Sequence, residues 1–256
     1  MILTVDVGNT VIVLGAFDGN NLRFVSRVAT EIQKTDDQYA IQLSDILSLY
    51  HCDTLSFEGA IISCVVPPLS LPIKKSIYKL LGCPVSTVSY KNAAGLDIKI
   101  DNPAILGTDM ICSAVSAKRK YGTPSIVIDL GTATKISAIG KDGSFLGCSI
   151  MPGVGISLNA LSSGTAQLPH IGFDDVEKVI GTNTVDSMKS GIIYGTASML
   201  DGMIGRYKAI LDENAKAIAT GGFSGVIAPY CESKLIYDPN LVLEGLYEIY
   251  RNERGI

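Results

Sequence analysis

Two short runs in this chain set a carboxylate two residues ahead of a glycine at the end of an apolar stretch: Val5-Asp6-Val7-Gly8 and Ile128-Asp129-Leu130-Gly131. One such tetrapeptide is ordinary turn chemistry, because Asp and Gly are common turn formers. Two in matching contexts predict a pair of strand ends where backbone can approach a phosphate closely and a carboxylate can hold a cation that offsets its charge. The hydroxyls and backbone N–H groups of Gly8, Asn9, Thr10, Gly131, Thr132 and Thr134 are the candidates to line a polyphosphate. Neither run continues as G-x-x-x-x-G-K-S/T or G-x-G-x-x-G, so the P-loop and dinucleotide-binding readings fail on their own criteria. Further on, Ala219-Thr220-Gly221-Gly222 offers paired glycines, readable as an approach for a flat base or ribose or as a plain strand-to-helix turn. A third carboxylate, Asp109, opens a helical run through Ile111, Ala114, Val115 and Ala117. The residues alone leave it open whether Asp109 is a helix-start acid favoured by the macrodipole or a general base.

Such groups need strands to aim them. Apolar Ile2 to Val7, broken by Gly8-Asn9-Thr10 and resuming over Val11 to Phe17, predicts a hairpin, and Leu22 to Val28 a third strand. Helical spacing of Ile41, Leu43, Ile46 and Leu47 predicts a helix over Asp37 to Tyr50. Gly59 to Val66 reads as a buried strand closed by Pro67-Pro68, followed by a helix over Leu69 to Leu81 and a strand over Pro84 to Ser89. The order then restarts with a strand over Ser125 to Leu130, a turn, and a strand over Lys135 to Ile139 that ends at Asp142-Gly143, the counterpart of Asp18-Gly19. Lys216 to Thr220 predicts a strand and Phe223 to Tyr230 a helix. Thr184 to Leu211 predicts a long helix whose Gly191, Gly195, Ala197 and Gly202 favour close packing. The expectation is an α/β protein of two duplicated domains, 1–120 and 121–256, with both hairpins bordering one cleft.

Composition narrows the partners. With 47% hydrophobic and 18% charged residues the chain can build a sizeable core, and a net charge of -4 supplies no basic field for nucleic acid or anionic lipid. Six cysteines without a C-x-x-C pair, beside only His51 and His170, lack the spacing of a zinc site and are expected to be reduced thiols. The start of the chain runs into a strand pattern and no apolar run is long enough to span a bilayer, so the expectation is a soluble cytoplasmic protein that binds neither membrane nor nucleic acid.

Taken in order, the motifs resemble the family of type III pantothenate kinases, within the superfamily of acetate and sugar kinases, heat-shock ATPases and actin. The residues that carry the resemblance are Asp6-Val7-Gly8-Asn9-Thr10, Gly107-Thr108-Asp109-Met110, Asp129-Leu130-Gly131-Thr132-Ala133-Thr134-Lys135, Pro152-Gly153, Ala166-Gln167-Leu168-Pro169, Asn183-Thr184 and Ala219-Thr220-Gly221-Gly222. The resemblance implies a duplicated ribonuclease-H-like fold with the active site in the cleft between domains. It implies ATP-dependent phosphorylation of the primary hydroxyl of pantothenate, the first committed step of coenzyme A synthesis, with Mg²⁺ and a monovalent cation such as potassium or ammonium, in a homodimer. It assigns Asp109 as the base, Asp6 to the ATP phosphates and Mg²⁺, and Val7, Gly8, Asn9, Thr10, Val11, Ile12 and Val13 to the nucleotide loop. Thr132 falls to a phosphate oxygen, Asp129 to the monovalent cation, and Gly107, Thr108, Asp109, Met110 and Thr184 to the acceptor. The chain departs from the family pattern at Met110 (Arg), Ile100 (Tyr), Thr108 (Ala), Lys135 (Thr) and Val11 (a polar residue). Met and Ile cannot replace the donors of Arg and Tyr. Three readings follow: a pantothenate kinase, a kinase for a more apolar pantothenate-like alcohol, and a weakly active nucleotide-binding regulatory relative.

Overall fold

Strand β1 (Ile2–Val7) is buried along nearly its whole length, and Gly8-Asn9-Thr10 reverses the chain into β2 (Val11–Asp18), as the apolar run and its turn residues require. The computed structural model describes residues 1–173 and 178–256. β3 (Asn21–Ala29) returns antiparallel to β2, and α1 (Asp36–Leu49) starts at a capping box in which Thr35 and Gln38 satisfy each other's backbone N–H. β4 (Gly59–Cys64) then runs parallel to β1 and leads into α2 (Pro67–Leu81). Pro67 and Pro68, expected to close the strand, instead begin this helix, where a missing N–H has no partner to lose. β5 (Val85–Thr87) and α3 (Thr108–Tyr121) follow.

The second half repeats the first. It contains β6 (Ser125–Leu130), β7 (Ala133–Ile139), β8 (Phe145–Pro152), α4 (Val154–Ser163), α5 (Thr184–Leu211), β9 (Lys216–Thr220), α6 (Ser224–Ile227) and β10 (Leu235–Tyr237), before the closing α7 (Leu241–Arg254). One sheet has the order β3-β2-β1-β4-β5 and the other β8-β7-β6-β9-β10, each with an antiparallel meander followed by two parallel strands. Even the register slip in the meander recurs, between Ala16 and Phe17 in one copy and between Ala138 and Ile139 in the other. β8, α4, β10 and α7 were not foreseen from the sequence. The helix expected over Phe223 to Tyr230 is α6 followed by a single 3-10 turn at Ala228–Tyr230, which contains Pro229.

The chain does not part at one point between residues 120 and 121. One compact unit holds Met1–Leu96, Asp101–Ser116 and Leu241–Ile256, and the other holds Asp97–Ile100 and Ala117–Asn240. Residues 97–100 belong to the second because they lie along β8: Phe145 N donates to Asp97 O at 2.7 Å and Lys99 N to Phe145 O at 2.8 Å. The closing helix α7 belongs to the first because it packs on that unit's sheet and on α3. Tyr247 stacks on Phe17 with ring centroids 4.4 Å apart. Gly245 rests on the backbone of Cys112 so closely that a Cβ there would fall 1.9 Å from the Cys112 carbonyl oxygen. Each unit has its own apolar core, around Val5, Leu14, Ile62 and Ile73 in the first and Ile126, Ile128, Ile193 and Leu200 in the second. All six cysteines are free thiols, with Cys83 and Cys112 buried as small hydrophobes. Among the described residues no helix is long and apolar enough to cross a membrane.

Candidate active site

In the first unit Asp6 is half-buried near the end of β1, directly opposite Ser63 of β4 in the parallel register. Ser63 Oγ shares a 3.0 Å hydrogen bond with Thr108 Oγ1, and the N–H of Cys64 donates to the same Thr108 oxygen at 3.0 Å. Thr108 thereby pins the start of α3 to the strand beside Asp6, and Asp109 follows in the first helical turn. Its Oδ1 accepts from Met110 N at 2.8 Å. Gly107 leaves room for that carboxylate, since a Cβ there would meet Asp109 Oδ1 at 2.5 Å. Asp6 and Asp109 also share an electrostatic neighbourhood. Burial pushes the Cys112 thiol well above the usual range, and the charges of both aspartates add to the effect. Cys64 is raised first by burial, with Asp6 contributing. Both thiols therefore stay protonated at neutral pH, so neither supplies a thiolate beside the two carboxylates.

Of the nucleotide-loop span 6–13, only part faces solvent. Val7 and Ile12 are core side chains, whereas Asn9, Thr10 and Val11 are exposed. Strand alternation dictates this, so Val7 and Ile12 could meet a ligand only through their backbone. The turn is held from the side: Thr30 Oγ1 donates to Gly8 O at 2.7 Å and Thr30 N donates to Thr10 O at 3.0 Å. Met110, placed by the sequence on the acceptor, is buried at 6% exposure, and Ile100 lies in the second unit.

In the second unit the separate sequence motifs converge at one end of the sheet. Gly153 lies against the Gly131-Thr132 turn, where an added Cβ would come within 2.1 Å of Thr132 O and 2.6 Å of Gly131 O. Gly221, at φ +92°, lies against Asp129 and Leu130, and the next turn is fixed by Phe223 N donating to Leu130 O at 3.0 Å. Thr132 is exposed at the turn, but Thr134 is not, and its hydroxyl is buried without a hydrogen-bond partner among the described residues. Thr134 therefore cannot line a phosphate as expected, because alternation along β7 turns it into the core. The next residue does face Asp129: Lys135 Nζ is 2.7 Å from Asp129 Oδ2. The carboxylate thus already carries a cationic partner, and these residues do not fit a free monovalent ion bound at Asp129.

Thr184, also in the second unit, is the first residue of α5 after its N-cap Asn183, whose Oδ1 accepts from Asp186 N at 3.0 Å. With Leu161, Leu168, Gly181, Asn183 and Gly191 it lines an open pocket of about 540 Å³, which also joins the Ala166-Gln167-Leu168-Pro169 motif to Asn183-Thr184.

The model of the family described as type III pantothenate kinase matches residues 2–206. The chain belongs to this family. A type III pantothenate kinase from Roseiflexus castenholzii is 39% identical over 254 residues, covering 99% of this chain and 100% of the relative. One from Moorella thermoacetica is 38% identical, covering 98% of each chain. Among solved structures, a protein from Campylobacter jejuni assigned to the Baf family of transcriptional activators is similar at a TM-score of 0.60 with 20% identity, covering 99% of this chain and 100% of that one. An activator of 2-hydroxyisocaproyl-CoA dehydratase from Clostridium difficile, solved with ADPNP, is similar at 0.56 with 12% identity, covering 99% and 96%. At those identities the structures establish the fold, the duplicated actin and sugar-kinase type.

The residues that sequence reasoning missed in this pantothenate kinase family member are the supporting ones: Ser63, which ties down Thr108, and Thr30, which ties down the first turn. Their signals were weak, since each is a lone hydroxyl far along the chain from its partner. Thr108→Val keeps the shape and deletes both hydrogen bonds, leaving the Cys64 N–H without its acceptor. The expected cost is about 1 to 3 kcal/mol, read as a lower denaturant midpoint. An unchanged midpoint would mean that the Thr108 tie does not hold α3 in place.

Proposed function

We propose that this protein is an ATP-dependent kinase that phosphorylates pantothenate at its primary hydroxyl, the entry step of coenzyme A synthesis. The observation that carries the reading is the Thr108 tie, which brings Asp109 to the strand end that holds Asp6. Phosphoryl transfer asks little more of a protein than positioning, charge neutralisation and an acceptor for one proton. Asp109 takes the hydroxyl proton as the oxygen attacks the γ-phosphorus, the bond to the bridging oxygen breaks, and ADP leaves. A divalent metal supplies Lewis-acid neutralisation of the phosphates. Asp6, half-buried near the end of β1, is the residue that would hold it. In each unit the exposed residues of the turn, Asn9 and Thr10 in the first and Thr132 in the second, are the ones to meet phosphate oxygens, the Gly8 N–H being already donated to Val11 O at 3.1 Å. Met110 supplies no charge to the acceptor's carboxylate, and Thr184, which lines the pocket at the start of α5, is the polar contact assigned to the acceptor.

The test is ADP release by the purified protein with ATP and Mg²⁺, comparing pantothenate, pantetheine and no acceptor. Pantothenate-dependent release is expected. Release with pantetheine alone would move the assignment to another alcohol, and ATP binding without release in any arm would favour a regulatory role.

We place the enzyme in the cytoplasm as a homodimer joined through α5. What supports the dimer is a face of that helix where Gly191 and Gly195 are exposed and an added Cβ would meet nothing within 4 Å. Gly195→Arg is expected to convert the dimer to a monomer in light scattering while each chain stays folded. A variant that remains dimeric would rule out this face.

A further inference from the structure

The Lys135–Asp129 pair lies in the part of the second unit that the family resemblance gives to a monovalent cation. Asp129 and Lys135 are direct partners in the antiparallel β6–β7 register, so their side chains leave the sheet on the same face. The ammonium is 2.7 Å from Asp129 Oδ2, and the two side chains are only 17% and 19% exposed. The other carboxylate oxygen is hemmed in by glycines: a Cβ at Gly221 would come within 2.5 Å of Asp129 Oδ1 and one at Gly131 within 3.3 Å. Close beyond, Gly131-Thr132 exposes the backbone turn offered to phosphate.

An alkylammonium carries the same single charge as potassium or ammonium ion and makes the same kind of short contact to a carboxylate. Tethered to β7, it is present at this position whatever the salt outside. A free cation could take the place only by displacing a largely buried ion pair and leaving an unpaired ammonium behind. We infer that Lys135 is a built-in replacement for the monovalent cation: its ammonium supplies the positive charge beside Asp129, and phosphoryl transfer by this chain needs no added potassium or ammonium. The inference rests on the kinase reading above and adds that the ionic requirement has been transferred to a side chain.

Initial rates of ADP formation with pantothenate, ATP and Mg²⁺ test it, in tetramethylammonium chloride, potassium chloride and ammonium chloride at equal ionic strength. Wild-type rates are expected to agree within about twofold in all three, whereas Lys135→Thr should fall at least about tenfold in tetramethylammonium and recover in potassium or ammonium. Lys135→Arg, which keeps the charge, should remain salt-independent. Titration with ADPNP and Mg²⁺ in the same salts needs no acceptor and gives a second readout: wild-type affinity should not change, and that of Lys135→Thr should rise with potassium. Activation of the wild type by potassium in either readout overturns the inference, even if Lys135→Thr fails to fold. Salt-independent behaviour of a folded Lys135→Thr overturns it too. Absence of turnover in every salt counts against the kinase reading alone, with the ADPNP titrations still deciding the role of Lys135; absence of ADPNP binding in every salt overturns both.

Discussion

An Asp109→Asn protein is expected to bind ATP like the wild type and to turn over about 10²- to 10⁴-fold more slowly, the range general-base catalysis contributes. The amide keeps the size of the carboxylate and an acceptor for the Met110 N–H that now bonds to Oδ1 at 2.8 Å. It cannot take a proton. Losing a negative charge in the first turn of α3 costs the helix about 0.3 to 1 kcal/mol, too little to unfold the unit. The loss should therefore appear in kcat with the KM for ATP nearly unchanged, because the proposed nucleotide contacts at Asp6 and the two turns are untouched. Steady-state kinetics beside a thermal melt separate the two effects. A variant with wild-type kcat would remove Asp109 from the mechanism.

Gly153→Ala is expected to damage the proposed phosphate turn of the second unit, through backbone rather than chemistry. Its methyl would sit 2.1 Å from the carbonyl oxygen of Thr132 and 2.6 Å from that of Gly131, and neither atom is the tip of a flexible side chain. Either α4 moves off the sheet or the Gly131-Thr132 turn is pushed out of place. Overpacking of this kind costs about 1 to 3 kcal/mol and occasionally more. A lowered denaturant midpoint is expected together with a KM for ATP raised roughly tenfold, the equivalent of about 1.4 kcal/mol of lost binding. If midpoint and KM both stay at wild-type values, the turn is not clamped by Gly153.

What could be read from the sequence was what is encoded locally. The two hairpins were legible because an apolar strand followed by Gly8-Asn9-Thr10 or Gly131-Thr132 specifies itself within a few residues, and the repetition revealed the duplicated sheets. Asp109 was legible as the start of a helix, but not as a neighbour of Asp6, because that depends on Ser63 meeting Thr108 across 45 residues of sequence. Thr134 and Lys135 show a different limit. Motif reading grouped Thr134 with the phosphate-facing hydroxyls, and alternation along β7 sends it inward and its neighbour Lys135 to Asp129. The register of a hairpin contains that answer, although the motif does not. The domain boundary was illegible for a third reason: α7 is an ordinary amphipathic helix, and nothing local in Leu241–Arg254 states which sheet it covers.

That helix has a consequence for biosynthesis. A ribosome releases residues 1–116 first, yet the sheet they form has no α7 until Leu241–Arg254 has been translated. The second unit needs only Asp97–Ile100 and Ala117–Asn240, so it has all its parts earlier. The half of the protein begun first is thus the one completed last, and until α7 is made the apolar surface around Phe17 that Tyr247 later covers lacks its partner helix.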